Sequence, residues 1–306
     1  MSFTITLSTV VVMLVYAIPG YLLVKTGKVP RNAIASFATF LVYVCTPFQI
    51  IYAMQQIEFS AYIAKYMAIS LGLALVLMGG VLALVFLALR KWQHRVDCRI
   101  CACAASLGNV GFMGLPLLQA LMPEYPQIQA FASMFFLSLN IIMWSLGSWV
   151  MTRDKRYMSL KKALVNPAGI AVAIGLLLFA LRVRLTGQIG GMVELMGRMA
   201  TPMCMILLGM RLALVPIKPM FTNPVQYLAI GLKLVAFPLI TLLVLKPLPL
   251  ESNYIRGVYV MSCVPTGNLV LSFAEMLGEG QDVAANVVLL STILSLATIP
   301  VMLLLI

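Results

Sequence analysis

The stretch Cys103-Ala-Ala-Ser-Leu-Gly-Asn109 lies inside one long apolar segment, and Cys263-Val-Pro-Thr-Gly-Asn268 lies inside another in the second half of the chain. A Gly-Asn pair in the middle of an apolar span leaves backbone N–H and C=O groups that lipid cannot satisfy. Such an interruption is tolerated only where the backbone is buried in protein or lines a polar cavity. Two interrupted segments in corresponding positions of two halves indicate the binding site of a secondary transporter.

The composition excludes a soluble globular domain. Hydrophobic residues make up 62% of the 306 residues and charged residues only 10%, and the mean hydropathy is +1.03. These values are typical of a polytopic helical membrane protein. An outer-membrane barrel would show strands that alternate apolar and polar residues, whereas these segments are apolar on all sides. Because no basic region precedes the first apolar stretch and no cleavage site follows it, we expect a retained helix rather than a signal peptide.

The net charge of +12 does not indicate a nucleic-acid partner, because Lys and Arg cluster in short loops between apolar spans. The six cysteines lie mostly within apolar spans and predict no disulfide framework. Cys98 and Cys101 form a C-x-x-C pair, but a zinc site needs further ligands and His94 is the only histidine. We therefore expect no metal and no other cofactor.

Ten apolar segments of spanning length are present. They cover roughly residues 5–24, 33–54, 62–89, 98–122, 127–151, 167–186, 189–214, 225–245, 254–278 and 283–306. A span needs about 20 residues at 1.5 Å each, and the fourth and ninth segments reach this length only across their Gly-Asn pairs. The sequence therefore predicts an all-α polytopic membrane protein with ten transmembrane helices, of which the fourth and ninth are broken and cross.

The distribution of basic residues predicts the orientation. Most loop Lys and Arg residues follow segments one, three, five and seven, and the longest basic run is 153–162. Basic loops remain in the cytoplasm, and an even number of spans places both termini on the non-cytoplasmic side. We expect the protein in the cytoplasmic (inner) membrane.

The two halves of the chain repeat short motifs in the same order. The matched pairs are Pro19-Gly20 with Pro167-Ala-Gly169, Thr46-Pro47 with Thr201-Pro202, and Gly108-Asn109 with Gly267-Asn268. Five spans per half is an odd number, so the second half enters from the opposite face. This arrangement is an inverted-topology repeat, which is typical of alternating-access transporters. The predicted units are a first repeat (1–151), a basic cytoplasmic linker (152–166) and a second repeat (167–306).

The interruptions predict an anion site. A half-helix that resumes inside the membrane presents a partially positive N-terminal end, and two such ends together favour a carboxylate. Side-chain amides and hydroxyls beside them would add hydrogen bonds, and glycines would allow close approach. The candidate substrate-binding residues are Gln49, Ser106, Gly108, Asn109, Pro265, Thr266, Gly267 and Asn268. The alternative for the two asparagines is hydrogen bonding that only joins helices.

Two ionisable residues inside apolar segments are candidates for charge or coupling roles. Lys233 lies in segment eight, where it could attract an anion or exchange a proton, or snorkel to the interface. Glu275 lies near the end of segment nine, where it could carry a proton or mark a solvated helix end.

These motifs resemble the auxin efflux carrier family, in its bacterial branch related to the plant auxin-exporting PIN carriers. The stretch Gly108-Asn-Val-Gly-Phe-Met-Gly-Leu-Pro-Leu-Leu118 is similar to the fourth-helix pattern of that family, and Pro265-Thr-Gly-Asn-Leu-Val-Leu-Ser-Phe-Ala274 resembles the ninth-helix pattern. Asn166-Pro167 resembles the start of the sixth helix, and Leu290-Ser-Thr292 with Pro300 resembles the tenth.

The resemblance implies a bile-acid/sodium symporter-like fold with a scaffold domain of helices one, two, six and seven. Helices three to five and eight to ten would form a transport domain that moves like an elevator. The resemblance places Asn109 and Pro265 at the substrate crossover. Gly108 departs from the proline of the plant carriers, and their long cytoplasmic loop is missing.

We therefore expect a secondary transporter of a small organic acid anion, such as an auxin-like carboxylate or a dicarboxylate. It could form a homodimer through its scaffold domain. The alternative is a sodium-coupled organic-anion symporter of the bile-acid carrier type, although no acidic residue adjoins either Gly-Asn pair. An enzyme is not expected, because the chain has no H-E-x-x-H and no G-x-S-x-G motif. A further alternative is a passive channel, which would be recognised by electrical currents far above the turnover of a carrier.

Overall fold

The computed structural model describes residues 7–9, 11–12, 15–214 and 223–306. Lys218 in a predicted basic loop and residues 5, 6, 10, 13 and 14 of predicted segment one lie outside these ranges. Within the described ranges the chain is helical, and the extended pairing is limited to one bridge between Gly108 and Thr266.

The main helices follow one another in chain order. They are α1 (Ala17–Lys25), α2 (Ala33–Gln55), α3 (Ala61–Ala88), α4 (Val96–Ser106), α5 (Val110–Leu121), α6 (Ile128–Thr152), α7 (Pro167–Ala180), α8 (Gly187–Leu212), α9 (Pro224–Leu245), α10 (Ser252–Cys263), α11 (Asn268–Leu277) and α12 (Gln281–Leu305). A short helix, Leu160–Leu164, lies between α6 and α7.

Seven helical stretches in the described part are long and apolar enough to cross a bilayer. They are α2, α3, α6, the stretch Lys155–Ala180 that contains α7, α8, α9 and α12. The prediction of an all-α, multi-pass membrane protein is therefore confirmed. The count of ten spans, in which α4 with α5 and α10 with α11 would each make one broken span, stays a prediction.

The outward faces of the helices are apolar, as lipid requires. On α3, Leu77, Val81 and Val85 are buried, whereas Val76 and Leu84 on the other side are 67% and 63% exposed. A helix that is hydrophobic all round is suited to a membrane and not to water. The exposed apolar surface of α3 is therefore its lipid-facing side.

The helices pack as two groups. In the first group α1 packs on α8, and α2 packs on both α7 and α8. In the second, α3 packs on α4 and α6, and α9 packs on α4, α10 and α12. The helices α5 and α11 lie between the groups, because α5 contacts both α6 and α8, and α11 contacts α4 and, through Asn268, Cys204 on α8.

Small residues bring the backbones of α1 and α8 into contact. A Cβ at Gly20 would overlap the carbonyl group of Ile206, and a Cβ at Gly209 would overlap that of Ala17. In a membrane, where lipid is as apolar as a helix surface, such close backbone packing stabilises helix pairs. Each glycine therefore admits the other helix at a distance that no larger residue permits.

Asn166 and Pro167 fix the start of α7. The Asn166 side chain accepts a hydrogen bond from the Gly169 N–H at 2.8 Å and donates to the Ala163 carbonyl at 2.7 Å. Pro167 occupies the first helical turn, where its missing N–H has no intrahelical partner to lose. This start of α7 lies beside the cavity described below.

The first prediction concerns Gly209. Substituting Gly209→Ala places a methyl group on the Ala17 carbonyl, so we expect a loss of about 1–3 kcal/mol in the free energy of unfolding. The matched control is Gly72→Ala on α3, where no described residue lies within 4 Å of the added Cβ. The control gains helix propensity of up to about 1 kcal/mol. Thermal unfolding in detergent measures both, and equal midpoints for the two variants would contradict close α1–α8 packing.

Candidate substrate site between facing helix ends

Two short extended segments pair where four helix ends meet. Residues 107–109 separate α4 from α5, and residues 264–267 separate α10 from α11. The Asn109 N–H donates to the Pro265 carbonyl at 2.7 Å, and the Gly267 N–H donates to the Leu107 carbonyl at 2.9 Å. Helix ends leave N–H and C=O groups without intrahelical partners. Here each segment satisfies backbone groups of the other, so neither interruption leaves these groups exposed to lipid.

The pairing requires glycine at two positions. A Cβ on Gly267 would lie 2.8 Å from the Gly108 carbonyl oxygen. A Cβ on Gly108 would lie 2.9 Å from Cγ2 of Val264 and 3.0 Å from Nζ of Lys233. Pro265 has no N–H, and its carbonyl is the acceptor for Asn109. The local sequence therefore favours an extended segment over a continuous helix.

Two helices begin at this pairing. Asn109 directly precedes α5 and its carbonyl accepts the N–H groups of Met113 and Gly114 at 3.2 and 3.1 Å. Asn268 is the first residue of α11. The N-terminal end of a helix carries a partial positive charge. Two partial positive charges therefore meet near the asparagine side chains.

The two asparagines line a common cavity and are not saturated by protein. Asn109 is 4% exposed and, in the described part of the chain, its side-chain amide has no hydrogen-bond partner. Asn268 donates from Nδ2 to Sγ of Cys204 at 3.3 Å, while its buried Oδ1 has no partner among the described residues. Both line a cavity of about 180 Å³, together with Gly108, Gly267 and Ser272. Polar groups that converge on a cavity in this way favour a polar ligand.

Ser106 and Thr266 do not line this cavity. The Ser106 hydroxyl donates within its own helix, to the carbonyls of Ala102 and Cys103 at 3.2 Å. The Thr266 hydroxyl donates to the Ala104 carbonyl at 3.0 Å, and the Thr266 N–H donates to Oγ of Ser291 at 3.2 Å. The two bonds of Thr266 join α4 and α12 to the extended segment 264–267, whereas the Ser106 bonds stay within α4. The structure therefore gives Thr266 a role in holding the paired segments.

Gln49 lies on the other side of the pairing. Its Nε2 donates to the Gly111 carbonyl at 3.3 Å, and it lines a second cavity of about 540 Å³. The second cavity reaches Arg198 on α8, whereas the first reaches Arg211 on the same helix. The two cavities thus lie at different levels along α8, and α2 and α5 touch between them.

Lys233 is fully buried beneath the paired segments. Its Nζ donates to the Ser262 carbonyl at 3.1 Å and lies 4.0 Å from the centroid of the Phe237 ring. Ser262 belongs to the last turn of α10, where helix carbonyls carry partial negative charge. The side-chain amino group therefore stands at a helix C-terminal end inside the protein. It lies next to the Gly108 backbone, outside the lining of both cavities.

Glu275 lies away from the pairing, at the far end of α11. Its carboxylate is 3.3 Å from Nη2 of Arg211. Both residues line a third cavity of about 720 Å³, the outer vestibule, whose lining also includes Arg31, Asp282 and Asn286. Arg211 also lines the first cavity. From sequence alone Arg211 counts among the basic residues that follow segment seven, but in the structure it follows an apolar run on α8 and is only 9% exposed. Treating it as an ionisable residue inside a span would have identified it.

The cysteines and acidic side chains within the described ranges are candidate ligands for a metal ion. All six cysteines are buried and free. Among the described residues, no three His, Cys, Asp or Glu side chains come together as ligands for a metal ion.

The fold and this site together define a multi-pass membrane protein with a solute-sized cavity at paired helix ends. The family described as membrane transport protein matches residues 5–157 and 148–303, which is nearly the whole chain. The chain belongs to this family, the auxin efflux carrier family. Its members are transporters rather than enzymes. A comparison with curated proteins gives no significant match.

A second prediction concerns Thr266. Thr266→Val keeps the shape of the side chain but removes its hydrogen bond to the Ala104 carbonyl. We expect a loss of about 1–3 kcal/mol in the free energy of unfolding, because a buried acceptor loses its donor. Thr266→Ser keeps the hydroxyl and should recover most of this stability. The account of the pairing would be wrong if the Val and Ser variants unfolded at the same temperature in detergent.

Proposed function

We propose that the protein is a secondary transporter that moves a small organic acid anion across the cytoplasmic membrane. The observation that carries this proposal is the first cavity, where two helix N-terminal ends and the amides of Asn109 and Asn268 converge. A carboxylate fits this arrangement because helix N-terminal ends and amide N–H groups both favour negative charge.

In one of its two possible orientations, the side-chain amide of Asn268 can donate hydrogen bonds to an anion. Rotating the amide by 180° exchanges Nδ2 and Oδ1, which have nearly the same shape. The thiol of Cys204 then donates to Oδ1, and Nδ2 takes the position of the buried oxygen that has no partner among the described residues. Asn109 has both N–H groups available, since no described residue binds its side chain. The two asparagines together would hold both oxygens of one carboxylate.

Lys233 adds a positive charge close to the site. Its Nζ lies 3.0 Å from the point that a Cβ on Gly108 would occupy, and Gly108 lines the cavity. In a low-dielectric surrounding a charge acts over several ångströms with little screening. We propose that Lys233 attracts the anion without touching it and that it offsets the partial negative charge at the end of α10. Together with Glu275, Lys233 remains a candidate for coupling, and Gln49 a candidate for substrate contact from the second cavity.

For the architecture we propose ten transmembrane helices in two inverted repeats, residues 1–151 and 167–306, joined by the linker 152–166. The scaffold would be α1, α2, α7 and α8, which pack on one another. The other helices would form the transport domain. Elevator-type alternating access is supported by the two cavities at different levels along α8, because each lies between the two groups of helices.

We propose that the first cavity opens toward the cytoplasm. It is lined by Asn166, the last residue of the basic linker, and by Pro167 directly after it, and basic loops stay inside. Both termini would then lie outside. A homodimer through the scaffold would anchor the fixed part of an elevator.

The alternative is a sodium-coupled symporter of the bile-acid carrier type. A coupling cation would favour the carbonyls at the C-terminal ends of the interrupted helices. At the end of α10 the Lys233 ammonium already binds the Ser262 carbonyl. This contact favours transport that needs no sodium.

The proposal predicts that the asparagine amides bind the substrate directly. A thermal-shift screen of the purified protein against small carboxylates identifies ligands, because ligands that bind the folded state raise its stability. For the best ligand we expect Asn109→Ala and Asn268→Ala to weaken binding about ten- to a hundredfold, the value of a hydrogen bond to a charged group.

Asn253→Ala is the matched control, because Asn253 is exposed at the start of α10. It should bind as the wild type does. Unchanged binding of every carboxylate by both Asn109→Ala and Asn268→Ala would contradict the proposed site.

A further prediction separates the two coupling alternatives. In proteoliposomes we expect the initial rate of carboxylate uptake to stay the same when sodium is replaced by choline at constant ionic strength. A membrane potential and a pH gradient are set independently in each case. An uptake rate that falls several-fold without sodium would instead support the symporter alternative.

A further inference from the structure

Arg211 stands at the neck between the first cavity and the outer vestibule, and it lines both. Its side chain is only 10% exposed. A guanidinium group has five N–H donors. Nη2 makes a 3.3 Å contact with Glu275, and the buried Nε has no partner among the described residues. A buried cation with unused donors beside a cavity is arranged to bind a further anionic group.

The position of Arg211 is set by two helices that run side by side. Cys204 on α8 meets Asn268 on α11, and seven residues further along each helix Arg211 meets Glu275. Seven residues advance a helix by about 10 Å. Side chains on a helix lean toward its N-terminus, so the Arg211 side chain leans back toward Asn268. The guanidinium therefore lies between the asparagine pair and the vestibule.

We propose that Arg211 binds a second carboxylate of the substrate and makes the site selective for dicarboxylates. The inference rests on the proposed function, in which Asn109 and Asn268 hold the first carboxylate. The planar guanidinium suits this role because it binds a carboxylate through two parallel N–H···O bonds.

In the absence of substrate, the carboxylate of Glu275 contacts the guanidinium of Arg211. Its side chain is 46% exposed, whereas that of Arg211 is 10% exposed. The carboxylate of Glu275 can therefore turn into the vestibule and regain water while Arg211 stays in place. A substrate carboxylate replaces one anion at Arg211 with another, so no uncompensated charge is buried during the exchange.

A second buried arginine provides the comparison. Arg99 contacts Glu279 at 3.4 Å and is 9% exposed in its side chain, much like Arg211. Arg99, however, also donates from Nη1 to the Met151 carbonyl and lines neither the first cavity nor the vestibule. Arg99 joins α4 to the end of α6. Its substitution tests what losing a buried arginine does when no cavity is involved.

The test compares ligands that differ by one carboxylate. Equilibrium binding to purified protein is measured for succinate against butyrate, glutarate against valerate and adipate against hexanoate. We expect the wild type to bind at least one dicarboxylate about ten- to a hundredfold more tightly than its partner, as one added charged hydrogen-bonding group predicts. Arg211→Gln should remove this preference and leave monocarboxylate binding within about twofold. Arg211→Lys should retain part of the preference, because lysine keeps the positive charge but lacks the two parallel N–H donors of the guanidinium.

Two further variants make the result independent of folding defects. Glu275→Gln removes the internal competitor, so we expect it to tighten dicarboxylate binding several-fold, and by more than it tightens monocarboxylate binding. Arg99→Gln should keep the wild-type preference. Retained monocarboxylate binding shows that a variant is folded.

Several outcomes would overturn the inference. One is a wild type that binds both members of every pair equally well, and another is Arg211→Gln that weakens both members equally. The latter would make Arg211 a structural residue or a gate. In either case the proposed carboxylate site would stand. A wild type that binds no carboxylate would refute the proposed function and this inference together.

Discussion

The structure depends on the backbone pairing between residues 107–109 and 264–267. Two helices can stop inside an apolar protein only if the N–H and C=O groups they release find partners. The reciprocal hydrogen bonds of Asn109 with Pro265 and of Gly267 with Leu107 supply those partners. Because the pairing satisfies the backbone, the asparagine side chains beside it are left for a ligand.

The nearby polar residues have two different roles, which depend on the side of the pairing where each residue lies. Ser106, Thr266 and Lys233 lie on its buried side, where they bind carbonyl groups of the helix ends. Asn109 and Asn268 lie on its cavity side, where their amides are incompletely bonded. The buried set makes the crossing rigid, and the cavity set can exchange partners. A transporter needs both properties, since a ligand must bind to a formed site and then leave it.

Much of this arrangement could be predicted from the sequence. The length and apolar character of the segments predicted helices that agree with α2, α3, α6 and α9 to within one residue at each end. The two Gly-Asn pairs lie where residues 107–109 and 264–267 separate helices in the structure. That each pair breaks one transmembrane span stays a prediction. The side-chain partners could not be predicted, since Ser106 and Asn109 look equally polar in sequence. Their roles depend on which side of the pairing each one faces, and Arg211 was missed because its helix position resembled a loop charge.

In the proposed mode of binding, a carboxylate lies where the two helix N-terminal ends meet. The most direct measurement is the position of a bromine-labelled carboxylate, such as 3-bromopropionate, in crystals of the protein, from its anomalous scattering. The account predicts a single strong peak inside the first cavity, within van der Waals reach of Asn109 and Asn268. A peak only at another place, in crystals whose ligand-binding affinity matches that in solution, would contradict it.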